Sequence, residues 1–444
     1  MTHSYPRELA LILNEQWDHV PAAGSGEPAA QVCASDRLPD LPDLEFLLSA
    51  CYQASLMRDE GRPVTFRLLL RDPSRIEAHD GPPAGLHRIL FSGPRIFDEH
   101  ELRRLSSAAD FNRSLIGVSL TAGNELRIWG LVNSGSRWLQ AVRGGRKVCG
   151  LLPPSLVIRV SGPGRLAVCK GSVTVAILNA GRIACPTLDA PVPPWLVARF
   201  APADHGVPAR YRPDLEAAER PLAMFDKAFL MTLSQQVYKR IVSMMRSFQH
   251  GGTIILIPPE RAAELSEPNP YLDIRYRFVD EEPRYRLGSL YVQLLSTLVE
   301  EGLERDRGNR PIGWGDYVAS ESSAIERLDE AIFEAAHFIA DLTTMDGAVV
   351  MTKSLELLGF GAEILGGSQT IDTVARVTDA RGEERQIEST HRVGTRHGSA
   401  YRLCQELHDA VAVVASQDGL VRIVFWKDDM VAYWDQVAVS VLDL

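Results

Sequence analysis

Between Asp346 and Gly419 the sequence comes to three strand ends in succession, each running into polar residues, and no other stretch constrains the fold as much. Met345-Asp346-Gly347-Ala348-Val349-Val350-Met351 reads as a strand entered through an acidic turn. Val393-Gly394-Thr395-Arg396-His397-Gly398-Ser399-Ala400 reads as a strand end, a tight turn and a helix start. Val413-Val414-Ala415 is a buried strand that leaves through Ser416-Gln417-Asp418-Gly419. Short apolar runs bounded by turn residues are the pattern of buried strands.

The rest of the chain is read as what positions or controls these ends. A short helix is expected over 7–14, a connector over Val20–Pro28 and a helix from Leu44 to about Met57. A strand follows at Val64–Leu70. From there to about residue 200 strands dominate, at Arg88–Phe91, Leu115–Leu120, Leu126–Val132, Trp138–Val142, Leu156–Val160, Leu166–Cys169 and Val173–Leu178. One helix, Asp98 to about Ala108, interrupts them. Trp129-Gly130 and Ser161-Gly162-Pro163-Gly164 are read as turn chemistry in preference to ligand sites. Apolar residues at helical spacing from Leu215 to Phe248 predict a long helix, and Gly251-Gly252 a helix stop before a strand ending at Ile257. A strand at Leu272–Phe278 and helices at Gly288–Leu303 and Ser320–Leu342 bring the chain to Asp346.

At 444 residues the chain is long enough for two or three domains. Forty-seven basic against 57 acidic residues give a net charge of −10, so neither nucleic acid nor an anionic membrane is an expected partner. Six scattered cysteines without a C-x-x-C pair argue against structural zinc and a disulfide framework. No apolar run approaches the ~20 residues of a membrane span, and the N-terminus lacks a secretory pattern. A cytoplasmic protein is expected.

Each cluster has its own chemistry. Gly347 and Ala348 beside Asp346 leave backbone room for a base or sugar. Thr395 is read as a helix N-cap, and Ala400, Leu403 and Leu407 give the helix a buried face. A helix N-terminus favours phosphate, and Arg396 and His397 add a guanidinium and an imidazole beside the same anion. Ser399 offers a hydroxyl. The turn at Ser416 matters through its company, and the three clusters together read as one wall of a nucleotide site.

In this order and spacing the clusters resemble the diadenylate cyclase domain, with its Asp-Gly-Ala motif, its Gly-Thr-Arg-His-Arg motif at a helix start and its Ser-Glu-Glu type turn. The match covers about Ser320–Asp435. The resemblance implies a mixed α/β (α+β) fold with a central mixed sheet flanked by helices, preceded here by a β-rich region. It implies that two such domains meet face to face, each holding one ATP, and that they form cyclic di-AMP with release of pyrophosphate. Asp346, Gly347 and Ala348 would be the catalytic motif. Gly394, Thr395, Arg396, His397, Ser399 and Ser416 would hold ATP and its phosphates. His397 and Asp418 would ligate Mg2+ or Mn2+. Two positions depart from the pattern: Gly398 replaces the second arginine and Gln417 the first turn glutamate. One charged contact is worth ~1.5–3 kcal/mol. Three outcomes stay open: an active cyclase with local compensation, a synthase of altered specificity, or a nucleotide-binding module without catalysis. The N-terminal layout resembles the probable sensor domain that precedes this cyclase domain in some bacterial proteins. The expected division is 1–212 sensor, 213–319 connecting region and 320–444 cyclase-like domain.

Overall fold

The computed structural model describes residues 3–20, 37–76, 81–82, 85–121, 123–135, 152–179, 181–185, 194–200, 225–248, 250–278, 281–304, 310–320, 322–365, 371–379, 381–391, 393–416 and 421–435. They fall into two compact units, one drawn from Met1–Ala190 and one from Pro191–Asp443. Both are mixed α and β.

In the first unit α1 (Pro6–Gln16) and α2 (Leu41–Leu56) precede a two-strand ribbon, β1 (Arg58–Asp59) and β2 (Arg62–Pro63). Then come β3 (Phe66–Leu70), β4 (His87–Ile96), α3 (Glu99–Ser106), β5 (Ser114–Leu120), β6 (Leu126–Asn133), β7 (Leu156–Gly162), β8 (Arg165–Lys170), β9 (Val173–Asn179) and β10 (Arg182–Ala184). The sheet order is β10-β9-β8-β7-β3-β5-β6-β4, antiparallel but for the β3/β5 pair. Strand alternation sends Phe66, Leu68, Ile116, Val118, Ile158 and Val160 to one face, where Leu9, Leu13, Leu44, Leu48 and Cys51 of the helices complete the core. Gly117 and Gly130 are packing glycines. A Cβ on Gly117 would lie 2.3 Å from the Trp129 ring, and one on Gly130 2.0 Å from the Ile89 carbonyl. The expected strand Trp138–Val142 lies outside the described residues.

The second unit comprises α4 (Pro194–Phe200), α5 (Lys227–Ser247), β11 (Gly252–Ile257), α6 (Ala262–Ser266), β12 (Leu272–Arg277), α7 (Arg286–Glu304), α8 (Trp314–Ala319), α9 (Ser323–Leu342), β13 (Ala348–Thr352) and β14 (Leu357–Ile364). It continues with β15 (Thr373–Val377), β16 (Arg385–Ser389), α10 (Thr395–Glu406), β17 (Val411–Ala415), β18 (Val421–Lys427) and β19 (Met430–Asp435). Nine strands form one mixed sheet, β12-β14-β13-β11-β17-β18-β19-β15-β16, parallel at β11/β13 and β15/β19. Its central strands are apolar on both faces because both are covered. Ile254, Leu256, Val349, Met351, Val411 and Val413 face α5, α7, α8 and α9. The alternate residues Ile255, Ile257, Ala348 and Val350 face Leu403 of α10 and Leu407 just past its end, with Ala412 and Val414 against Ala400, Tyr401 and Cys404 of the helix.

Two expectations change. The region 213–319 is no separate connector, since β11 sits in the middle of the sheet and α5, α7 and α8 pack on it. Residues 194–200 belong with the second unit: Trp195 packs 5.6 Å from the Phe425 ring, and Arg199 Nη1 donates to the Trp426 carbonyl at 2.6 Å. The helix expected over Ser320–Leu342 is α9, which starts at Ser323, where Ser322 caps it by accepting from the Ala324 N–H; the short α8 comes before it and ends at Ala319. Of the long helix expected from Leu215, the described part begins at Lys227, where the Asp226 side chain caps it.

Candidate nucleotide site

Register places the three clusters. β11 pairs with β13 in parallel, Ile254 beside Val349, and with β17 antiparallel, Gly252 beside Ala415. Continued by two residues, the first pairing brings Gly347 level with Gly252, and hence with Ala415. Asp346 and Ser416 therefore stand at the same end of the sheet, two strand spacings or about 10 Å apart sideways. Helix α10 joins the opposite end of β17 through Leu407–Ala410 and runs back across the sheet, so its N-terminal turn points to this same end. The Tyr401 hydroxyl accepts from Arg422 Nη1 at 3.0 Å, and Arg422 is the register partner of Val414. From Tyr401 back to His397 the helix rises about 6 Å, and from Val414 to Ser416 the strand advances about 7 Å. The helix start is thus level with Ser416.

Local chemistry explains each position. Gly347 has φ +107°, and a Cβ there would meet the Gly361 carbonyl carbon at 2.6 Å. The backbone room read as space for a base is therefore taken by β14 on that side. Ala348 is a core residue, 2% exposed, so any part it plays is through its backbone. Gly252 is needed because a Cβ would lie 2.7 Å from Thr343 Oγ1, where the end of α9 crosses the start of β11. This crossing delivers the chain to Asp346, whose side chain is exposed.

At the helix start the cap is Gly394, not Thr395: Gly394 is extended at φ −63°, ψ 157°, and Thr395 is the first helical residue, exposed. Gly394 has no side chain with which to cap, so the first-turn amides receive no bond from a cap side chain. Arg396 and His397 are half-buried in that turn, which contains no acidic residue. Ser399 Oγ accepts from Arg402 Nη2 at 3.0 Å. Ser416 is half-buried. Gln417 and Asp418 lie outside the described residues, so the metal-ligand reading of Asp418 has no geometry here.

Beside the helix start runs a polar network that motif reading missed. Arg422 stacks 4.5 Å over the Tyr433 ring, and the Tyr433 hydroxyl donates to Glu388. Arg376 Nε donates to Asp435 at 3.0 Å, and its Nη1 lies 3.8 Å from Glu388. Burial raises the Tyr401 hydroxyl above its usual pKa, with Arg422 opposing the shift. These residues alternate along β18, β19, β15 and β16 on the α10 face, so period-2 spacing was the available signal, hidden because no strand was read at 373–377, 385–389 or 430–435.

The family described as "Probable sensor domain DACNV" matches residues 34–133, which run through α2 to the end of β6 in the first unit. No curated protein and no solved structure shows a significant match to the chain. Among the described residues no helix is long and apolar enough to cross a membrane.

Proposed function

We propose that the second unit is a nucleotide-binding unit of the diadenylate cyclase type, which joins two ATP molecules into cyclic di-AMP, and that the first unit senses a signal that regulates it. The observation that carries this reading is the gathering of Asp346, the Arg396–His397 helix start and Ser416 at one end of one sheet. The sensor match supports it, because that family is associated with diadenylate cyclase proteins.

In this reading the first-turn amides of α10, Arg396 and His397 hold the triphosphate. Asp346 takes the proton of an attacking 3′-hydroxyl. A bond forms from that oxygen to the α-phosphorus of the facing ATP, the bond to pyrophosphate breaks, and the reciprocal step closes the ring. Two units must therefore meet face to face, and positioning supplies most of the acceleration. A divalent cation, Mg2+ or Mn2+, would neutralise charge on the phosphates. Among the described residues no three His, Cys, Asp or Glu side chains cluster as a metal cage. Mg2+ keeps waters and phosphate oxygens and takes only one or two protein ligands, in this reading His397 and Asp418, the latter outside the described residues. A cytoplasmic setting, where ATP is abundant, goes with this reading.

The second reading is nucleotide sensing without turnover, which Gly398 and Gln417 favour by removing charge. Incubating the full chain with ATP and Mg2+ or Mn2+, with products read by mass spectrometry, separates the two. Cyclic di-AMP is expected. ATP binding with no product under either metal selects the sensing reading.

A further inference from the structure

Position 398 is the weak point of the site, and the structure puts a guanidinium beside it. Apart from its chain neighbours and the backbone of its own helix, a Cβ built on Gly398 meets only Arg402 Nη1 within 4 Å among the described residues, at 3.8 Å. Arg402 Nη2 donates to Ser399 Oγ at 3.0 Å. The side chain of Arg402 has therefore folded back by one helical turn and lies over the stretch Gly398–Ser399. Helix geometry makes this easy, since side chains lean toward the N-terminus and residues i and i+4 share a face. The absent side chain at 398 leaves the space that Arg402 enters.

Electrostatics makes the arrangement unusual. The N-terminal end of a helix is its positive end, and cations there are disfavoured by ~0.3–1 kcal/mol each. Here Arg396, His397 and the Arg402 guanidinium gather around the first turn and a half of α10, with no acidic residue in the first turn. A bound polyphosphate reverses the sign of that interaction. We infer that Arg402 is a phosphate-contacting residue of this site, which supplies from one turn later the cation that Gly398 does not. The inference rests on the nucleotide reading above and deepens it: the ligand class is a nucleoside polyphosphate, and its phosphates, not its base, are what Arg402 recognises.

The test moves the charge. Four full-length proteins are compared by calorimetry with ATP and with adenosine in Mg2+: wild type, Arg402→Ala, Gly398→Arg, and the double variant Gly398→Arg/Arg402→Ala. Arg402→Ala should weaken ATP on the order of tenfold to a hundredfold, the size of one charge-assisted hydrogen bond, and leave adenosine unchanged. The double variant should recover most of that loss, because position 398 is not in the left-handed region and has open space once Arg402 is gone. Thermal melts establish that each variant is folded. ATP affinity unchanged in Arg402→Ala overturns the inference, as does a folded double variant that recovers nothing. A wild type that binds no nucleotide fails the underlying reading, which is a distinct result.

Discussion

Asp346 and Gly347 are neighbours with opposite sensitivities. Gly347 sits at φ +107° against the Gly361 backbone, so Gly347→Ala adds both left-handed strain and a clash with β14. It should cost about 2–4 kcal/mol, read as a lowered urea midpoint. Asp346 is exposed, and Asp346→Asn should change stability by less than about 0.5 kcal/mol. The same variant should abolish cyclic di-AMP while ATP still binds. Equal loss of stability in the two variants would contradict the division of roles. Arg396, His397 and Asp346 were legible in the sequence because each sits at a local boundary, where strand and helix patterns meet. Arg402 was not, because its relevance depends on which way one long side chain folds over a missing one.

The elements behind the site are tied by a buried polar joint. Arg240 of α5 pairs with Asp329 of α9, and the Tyr317 hydroxyl of α8 donates to the same carboxylate at 2.6 Å. Asp329→Ala strips a buried guanidinium and a buried phenol of their shared acceptor and should cost about 3–5 kcal/mol by chemical denaturation. A loss below about 1 kcal/mol would contradict the joint's structural part. Strands β11, β13 and β17 were readable from the sequence as short apolar runs. Strand β14 escaped because Gly359 and Gly361 interrupt it, both accommodating close passes of the β12 backbone and Tyr276. Strand β16 escaped because it is an edge, largely exposed, and carries Arg385 and Glu388 where a buried strand would carry apolar residues.

At the scale of the whole molecule, a sensor-type N-terminal region ahead of a second unit was legible because motifs and strand density differ along the chain. The boundary was not, because Trp195 and Arg199 join the second unit through contacts more than two hundred residues away in sequence. The second unit also buries several acids of high pKa. Burial raises the phenols of Tyr238, Tyr291 and Tyr317 and pushes the Cys404 thiol up to about 12. Their unfolded values are ~10 and ~8.5. A folded pKa above the unfolded one gives a contribution that is complete below the unfolded value and is lost as pH rises beyond it. Stability should therefore fall from about pH 8.5 upward, by up to ~1.4 kcal/mol per pH unit for each group. The check is a urea midpoint followed from neutral to alkaline pH; a flat profile, with these phenols titrating at their ordinary value in the folded protein, would contradict their burial. In the proposed function, one sheet end holds a nucleotide by its phosphates. Calorimetric titration of the full chain with ATP and Mg2+ tests it most directly, comparing wild type with Arg396→Ala. Saturable binding is expected, weakened on the order of tenfold or more in the variant; ATP that fails to bind the wild type, or binds both proteins alike, would contradict a phosphate site there.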